Sequence, residues 1–261
     1  MVKDLSWGLV GTTVLLLEQG GERFIAKAGD ADDTNIAREL QAHREWLRPW
    51  RVIGRAPEFV DGDVEAKLLV TAYLPGELVE GTEHERLAAT YEQAGQLLAL
   101  LHGQLAVEDQ EFEAAERERA FYWLSRPHRI APADERRLRV EVESWPTPPC
   151  TLVPTHGDWQ PRNWLVHEGA VSAIDFGRAG LRPAWGDFGR LSAQQFRSED
   201  GSGAALESAF LAGYGGDPRE AGSWRRHRVR EAISTTVWAH QVGAEEYERQ
   251  GLRMIAEVLG V

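Results

Sequence analysis

Three oxygen-bearing side chains, Asp158, Asn163 and Asp175, constrain this 261-residue chain more than any other feature in it. Asp158 closes the run Thr155-His156-Gly157-Asp158, four residues separate it from Asn163, and twelve further positions lead to Asp175 in Ile174-Asp175-Phe176-Gly177. Between them, Trp164-Leu165-Val166-His167 and Ala170-Val171-Ser172-Ala173 flank Glu168-Gly169, which reads as a hairpin returning Asp175 to the neighbourhood of Asn163. Two carboxylates and an amide assembled this way suit phosphoryl transfer. That chemistry needs one carboxylate to orient the attacking hydroxyl and accept its proton. It also needs an amide and a second carboxylate as hard ligands for magnesium on nucleotide phosphates. Asp158, Asn163 and Asp175 match those roles in that order.

The length leaves room for one large domain or two small ones, and an uneven two-lobed chain fits. A composition of 43% hydrophobic and 27% charged residues is that of an ordinary globular protein, and no apolar run reaches membrane-helix length. Met1 to Ser6 lacks the apolar core of a signal peptide, and the single Cys150 has no internal disulfide partner, so a reducing cytoplasm is the expected setting. A formal charge of −12 argues against nucleic acid as a partner and permits a cationic small molecule. Of the ten Trp, most are expected in cores, with a minority left to stack on substrate.

His156-Gly157-Asp158 with Asn163, followed by Asp175-Phe176-Gly177, resembles the HRDxxxxN and DFG signatures of protein kinases. It resembles more closely the HGDxxxxN form of the aminoglycoside phosphotransferase and choline kinase-like family. Gly157 stands where protein kinases carry Arg, and Trp185-Gly186-Asp187 further downstream also looks like the small-molecule branch. The resemblance implies an α+β, protein-kinase-like two-lobed fold. Residues 1–75 would form a small antiparallel-sheet lobe for the nucleotide, and 76–261 a larger, mainly helical lobe with catalytic loop and acceptor pocket. It implies ATP or GTP as co-substrate with Mg2+, and as acceptor the hydroxyl of an aminoglycoside or other antibiotic, a sugar, a choline-like amine or a secondary metabolite. The chain has no activation segment ending in Ala-Pro-Glu, which counts against protein substrates.

In the first 75 residues, apolar runs on either side of Gln19-Gly20-Gly21 predict a β-hairpin, and the second run ends in Phe24-Ile25-Ala26-Lys27, similar to the Val-Ala-Ile-Lys signature. Gly8 to Val14 precedes it as a degenerate phosphate loop, where backbone amides and Thr12 or Thr13 would approach phosphates beside Lys27. A helix is expected from Thr34 or Asn35 to about Arg48, stopped by Pro49. Glu39 is its candidate partner for Lys27, with Glu45 the rival. Asp61-Gly62-Asp63 reads as the turn of a second hairpin. Leu68 to Gly76 resembles the family's connection between lobes, where backbone groups at Ala72 and Leu74 would bond the adenine edge.

Beyond it, Thr82-Glu83-His84-Glu85 reads as a capping box before a core helix ending at Leu101-His102-Gly103. Further helices are expected over 110–125, 132–143, 204–214, 220–242 and 244–259. The acidic stretch Glu108 to Glu113 and the later Glu245, Glu246 and Glu248 are candidates to line an acceptor pocket. Gln160 occupies the place where Ser/Thr protein kinases carry a phosphate-contacting Lys, so Arg162 or Arg178 would supply that charge. His156 is expected as scaffold, His102 as a satisfied structural histidine, and Asp187 as a helix cap that also bonds the loop bearing Asp158. A nucleotide-binding pseudokinase that regulates a partner is the alternative of a different class. Intact Lys27, Asp158, Asn163 and Asp175 argue against it.

Overall fold

Gly20 and Gly21 take φ of 63° and 85°, the left-handed pair that a tight turn between twisted antiparallel strands requires. Around that turn Thr13–Gln19 and Glu22–Ala28 pair as β2 and β3, with the two-residue β1 (Lys3–Asp4) beside β2. Helices α1 (Asn35–Glu45) and α2 (Arg48–Val52) follow, and then β4 (Phe59–Asp63) and β5 (Leu68–Ala72). The result is a five-stranded antiparallel sheet in the order β1-β2-β3-β5-β4. The structure is a computed structural model and describes residues 3–6, 11–198 and 201–260. Gly8 to Val10, expected to open the phosphate loop, therefore lie outside the described residues.

Two local expectations here are corrected. Pro49 does not stop α1, which ends at Glu45 where the Trp46 and Leu47 amides both donate to the Ala42 carbonyl. Pro49 instead sits in the first turn of α2, where a missing N–H forfeits nothing. Nor is Asp61-Gly62-Asp63 a turn: it is strand, and the chain reverses at 64–67, where Asp63 Oδ1 accepts from the Glu65 and Ala66 amides. Glycine is needed at 62 because a Cβ there would lie 2.2 Å from Leu40 Cδ2, so closely does α1 cover β4. Ile36, Leu40 and Leu69 form the small core between α1 and the sheet.

From β5 the chain passes β6 (Glu77–Leu78) and a 3₁₀ turn at Glu83–Arg86 before α3 (Ala88–His102). The expected capping box does not form. Thr82 Oγ1 donates to the Val79 carbonyl and Glu85 Oε2 accepts from the Gly81 amide, both at 2.8 Å. Glu85 lies in the 3₁₀ turn, so the pair shapes the approach to α3 without capping it.

The chain divides into two compact units, Met1–Ala106 with Val153–Asp217, and Val107–Leu152 with Pro218–Val261. It enters the second at β7 (Val107–Asp109), runs through α4 (Phe112–Leu124) and α5 (Pro132–Glu143), and leaves along β8 (Cys150–Thr155). Back in the first unit, β9 (Trp164–His167) and β10 (Ala170–Ala173) form the expected hairpin, with Glu168 and Gly169 at φ of 50° and 77°. Next, β11 (Gly180–Arg182) pairs with Val153–Thr155, and α6 (Gly189–Ala193) and α7 (Gly203–Tyr214) complete the unit. Helices α3 and α7 cross at van der Waals backbone distance: a Cβ on Gly213 would lie 1.9 Å from the Glu92 carbonyl oxygen.

The second unit closes with α8 (Ala221–Val242) and α9 (Glu245–Leu259). Leu124, Leu138, Val142, Trp145, Val229, Ile233, Val237 and Ile255 make its core, an apolar stripe that helical periodicity places on one face of each helix. Among the described residues, no helix is long and apolar enough to cross a membrane.

Candidate active site

Lys27 projects from β3 directly opposite Leu69 on β5. Cross-strand neighbours share a face, and Leu69 packs under α1, so Lys27 points at that helix. Glu39 lies on the buried face of α1 with Ile36, Leu40 and His43. The two meet: Lys27 Nζ lies 2.9 Å from both Glu39 oxygens and 2.9 Å from Asp175 Oδ1. Burial opposes the ammonium charge, but Glu39 and Asp175 outweigh it and hold the Lys27 pKa above its ordinary value. Glu45 takes no part. It is exposed and accepts from Gln41.

Asp158 is buried in the loop after β8. Its Oδ1 accepts from Gln160 Nε2 at 2.7 Å, and its Oδ2 from Arg162 Nη2 at 2.7 Å and Asn163 Nδ2 at 3.1 Å. Burial pushes its pKa up, yet Arg162, Arg178 and Arg190 together hold it below the usual carboxylate value. It is therefore an ionised hydrogen-bond acceptor at neutral pH.

The loop is held from beneath by Asp187. Its Oδ2 accepts the His156 amide at 2.8 Å, its Oδ1 accepts the Gly157 amide at 2.6 Å, and His102 Nε2 lies 3.1 Å away. Tyr214 Oη contacts the other His102 nitrogen at 2.9 Å, which extends the chain to α7. Asp187 was expected to cap a helix as well. It lies inside the 3₁₀ turn Ala184–Phe188, with both oxygens committed to the loop and His102, so it caps nothing. His156 is scaffold: Nδ1 accepts the Asp158 amide, which leaves Nε2 to donate to the Ile174 carbonyl at 3.1 Å.

The β9–β10 register pairs Trp164 with Ala173, and the ladder continues as the Ile174 amide donates to the Asn163 carbonyl at 3.0 Å. Asp175 follows directly. Its φ of 66° is unusual for a residue with a side chain, the kind of backbone strain that collects at functional positions. Lys27 holds the Asp175 carboxyl at about 2, and the Asp175 side chain is 54% exposed. The Asn163 amide nitrogen is bonded to the Asp158 carbonyl and carboxylate, which leaves its oxygen as the available donor atom. One ionised carboxylate and one amide oxygen are hard ligands of the kind Mg2+ takes when phosphates and water complete its shell. The residues fit that ion.

Three features here had no sequence signal. Arg38 on α1 donates from Nε to the Gly177 carbonyl at 2.9 Å, joining the helix that carries Glu39 to the Asp-Phe-Gly turn. Arg190 on α6 places Nε 3.7 Å from Asp158 Oδ1. The left-handed backbone of Asp175 is the third.

The other expected residues are less tightly drawn in. Thr12 Oγ1 donates to Asp33 Oδ2 at 3.0 Å, and Thr13 opens β2 opposite Ala28. The Ala72 amide donates to the Glu58 carbonyl, whereas the Leu74 amide has no backbone acceptor among the described residues. In the second unit, Glu113 is clamped by Arg226 at 2.7 and 3.0 Å, and Glu248 is buried 3.1 Å from His240. Glu245 and Glu246 are exposed.

With this geometry in hand, similarity to known proteins is informative. Among solved structures, the chain is similar to aminoglycoside phosphotransferase APH(4)-Ia in a ternary complex with ADP and hygromycin B (TM-score 0.70, 13% identity, 98% of this chain and 92% of that one). It is also similar to choline kinase LicA from Streptococcus pneumoniae (TM-score 0.67, 14% identity, 99% and 94%) and to apo macrolide 2'-phosphotransferase MphH from Brachybacterium faecium (TM-score 0.65, 16% identity, 97% and 91%). These likenesses identify the α+β fold as protein-kinase-like, with its antiparallel sheet towards the N-terminus and its helices towards the C-terminus. No curated protein sequence matches the chain. The sequence profile of the phosphotransferase enzyme family matches residues 2–229, so the cluster of Lys27, Asp158, Asn163 and Asp175 lies within it and the chain belongs to that family.

Proposed function

We propose that this chain transfers the γ-phosphoryl group of ATP or GTP to a hydroxyl of a small molecule. The observation that carries the reading is that Lys27 meets Asp175 at 2.9 Å and Asn163 meets Asp158 at 3.1 Å, while the Ile174 amide bonds the Asn163 carbonyl and so sets the two pairs on adjoining backbone. Lys27, oriented by Glu39, contacts nucleotide phosphates as a fixed positive charge. Asp158, ionised and held by three donors, aligns the acceptor hydroxyl and takes its proton as the new P–O bond forms. Asn163 and Asp175 are the residues that would hold Mg2+, which when bound offsets charge on the phosphates.

The division near residue 75 is a functional one in this reading. Thr12, Thr13, Lys27, Glu39 and the backbone at Ala72 and Leu74 serve the nucleotide from the first part, while the second part carries Asn163 and Asp175 for Mg2+, Asp158 and the acceptor pocket. The bound ADP of the hygromycin B complex supports a nucleotide donor.

The test is transfer of label from γ-labelled ATP and GTP, with and without Mg2+, across a panel of hydroxyl compounds. The reading expects Mg2+-dependent labelling of at least one acceptor. Nucleotide binding without turnover on any acceptor would favour the pseudokinase instead.

A further inference from the structure

A cavity of about 300 Å³ lies at the end of α2, and all of its walls belong to the first compact unit. Ile53, Gly54 and Arg55 form one wall, Leu74 and Pro75 a second, and the β9–β10 hairpin a third. Small-molecule sites begin at about that volume. The side chains that meet around Lys27 and Asp158 take no part in it.

The polar lining is built around β10, the edge strand of its sheet. Arg55 covers that edge: its carbonyl accepts the Ala173 amide at 2.9 Å, and its Nη1 donates to the Val171 carbonyl at 3.2 Å. It thus straddles Ser172. Among the described residues, the Val171 carbonyl is the hydrogen-bond partner of the Arg55 side chain, and no carboxylate forms an ion pair with it. Ser172 lines the cavity at 5% exposure, and its hydroxyl has no hydrogen-bond partner among the described residues. Buried hydroxyls are ordinarily bonded. A guanidinium without an anion and a hydroxyl without an acceptor therefore line one space, and a carboxylate satisfies both.

The other walls narrow the choice. His167 and Glu168 line the cavity and are exposed. The Glu168 charge disfavours a second negative charge on the ligand, which selects a carboxylate over a phosphate. Ile53, Leu74, Pro75 and Ala170 supply apolar surface for the rest of the molecule.

We propose that this cavity is a ligand site apart from the transfer site, that it takes a small monocarboxylate with an apolar body, and that its occupancy tightens nucleotide binding. The coupling rests on the reading of the Leu74 backbone as an adenine contact. Leu74 belongs both to the cavity wall and to that contact, so a ligand that fixes the wall prepares the contact in advance.

The test titrates phenylacetate and 4-methylpentanoate into the full-length protein by ligand-observed NMR, with phenylacetamide as the uncharged control. Saturable binding of at least one carboxylate and none of the amide is expected, with Kd raised about tenfold in Arg55→Gln and about threefold in Ser172→Ala. Arg55→Gln also loses the bond to Val171. Should it fail to fold, Ser172→Ala decides the case, since it removes a hydroxyl that no described residue bonds. No saturable binding of either carboxylate, equal binding of the amide, or an unchanged Kd in the folded variants overturns the site. In a second arm, a bound carboxylate is expected to tighten AMP-PNP binding about threefold, and unchanged or weaker affinity overturns the coupling. Failure of AMP-PNP to bind at all sinks the nucleotide reading and the coupling with it, while the carboxylate titration still decides the site.

Discussion

A Cβ built on Gly157 would lie 2.1 Å from the carbonyl oxygen of Arg178. The loop bearing Asp158 and the segment after Asp-Phe-Gly thus touch backbone to backbone, through a residue with no side chain and a φ of 80°. Alanine at 157 must strain its own backbone and push the two segments apart, displacing Asp158 next to it. Gly157→Ala is expected to lose about 2–4 kcal/mol of stability in urea unfolding, with turnover falling at least about tenfold. Wild-type stability and turnover would show that the two backbones are not held this close.

Asp158→Asn preserves shape but removes the charge and the proton acceptor. A fall in kcat of about 10²–10⁴ is expected from steady-state rates. Nucleotide affinity should stay within a few fold, because Lys27, Glu39 and Asp175 form a separate set of contacts. Near wild-type turnover would remove Asp158 from its role.

Lys27→Ala strands the Glu39 carboxylate, which is buried and has Lys27 as its ionic partner. Breaking one side of such a pair is expected to cost about 3 kcal/mol, together with weaker nucleotide binding. Glu39→Gln should be milder in stability, since Lys27 keeps Asp175. Urea unfolding of Lys27→Ala, Glu39→Gln and Glu45→Ala orders the three. Equal loss in Lys27→Ala and the exposed Glu45→Ala would contradict the pairing.

His43 lies on the buried face of α1 near the rings of Phe59 and Phe176, and neither of its nitrogens has a hydrogen-bond partner among the described residues. Burial first, then the charges of Arg51 and Lys27, hold its pKa down at about 3. An unfolded chain protonates histidine near pH 6.5, so below that pH the unfolded state binds the extra proton. Stability is therefore complete above about pH 6.5 and falls as pH drops towards 3, by at most about 1.4 kcal/mol per pH unit from this group. His43→Leu should shrink the stability difference between pH 7.5 and pH 5 by about 1–2 kcal/mol in urea titrations. An identical pH dependence in both proteins would rule this out.

What the sequence made legible follows from the range of the forces involved. Hairpins at Gly20-Gly21 and Glu168-Gly169 and the helix ending at Tyr214 were readable, because turn chemistry and periodicity act over a few residues. Pro49 and Gly62 misled for one reason. Each has two physical uses, helix stop or first turn for proline and turn or close contact for glycine, and only packing chooses between them. The capping box at Thr82 does not form because the residues after it make a 3₁₀ turn and Glu85 reaches back to the Gly81 amide. Between Glu39 and its rival Glu45, the burial stripe of Ile36, Glu39, Leu40 and His43 gives the physical ground for Glu39. Arg38 and Arg190 were invisible, since an arginine's meaning depends on a partner more than thirty residues away.

The central claim is that Asn163 and Asp175 share a divalent cation beside the nucleotide phosphates, with Asp158 next to them. Binding of Mn2+ in the presence of AMP-PNP, followed by electron paramagnetic resonance, tests it most directly. The account predicts nucleotide-dependent Mn2+ binding by the wild-type protein that weakens at least about tenfold in both Asn163→Ala and Asp175→Asn. Equal Mn2+ binding by all three proteins would contradict it.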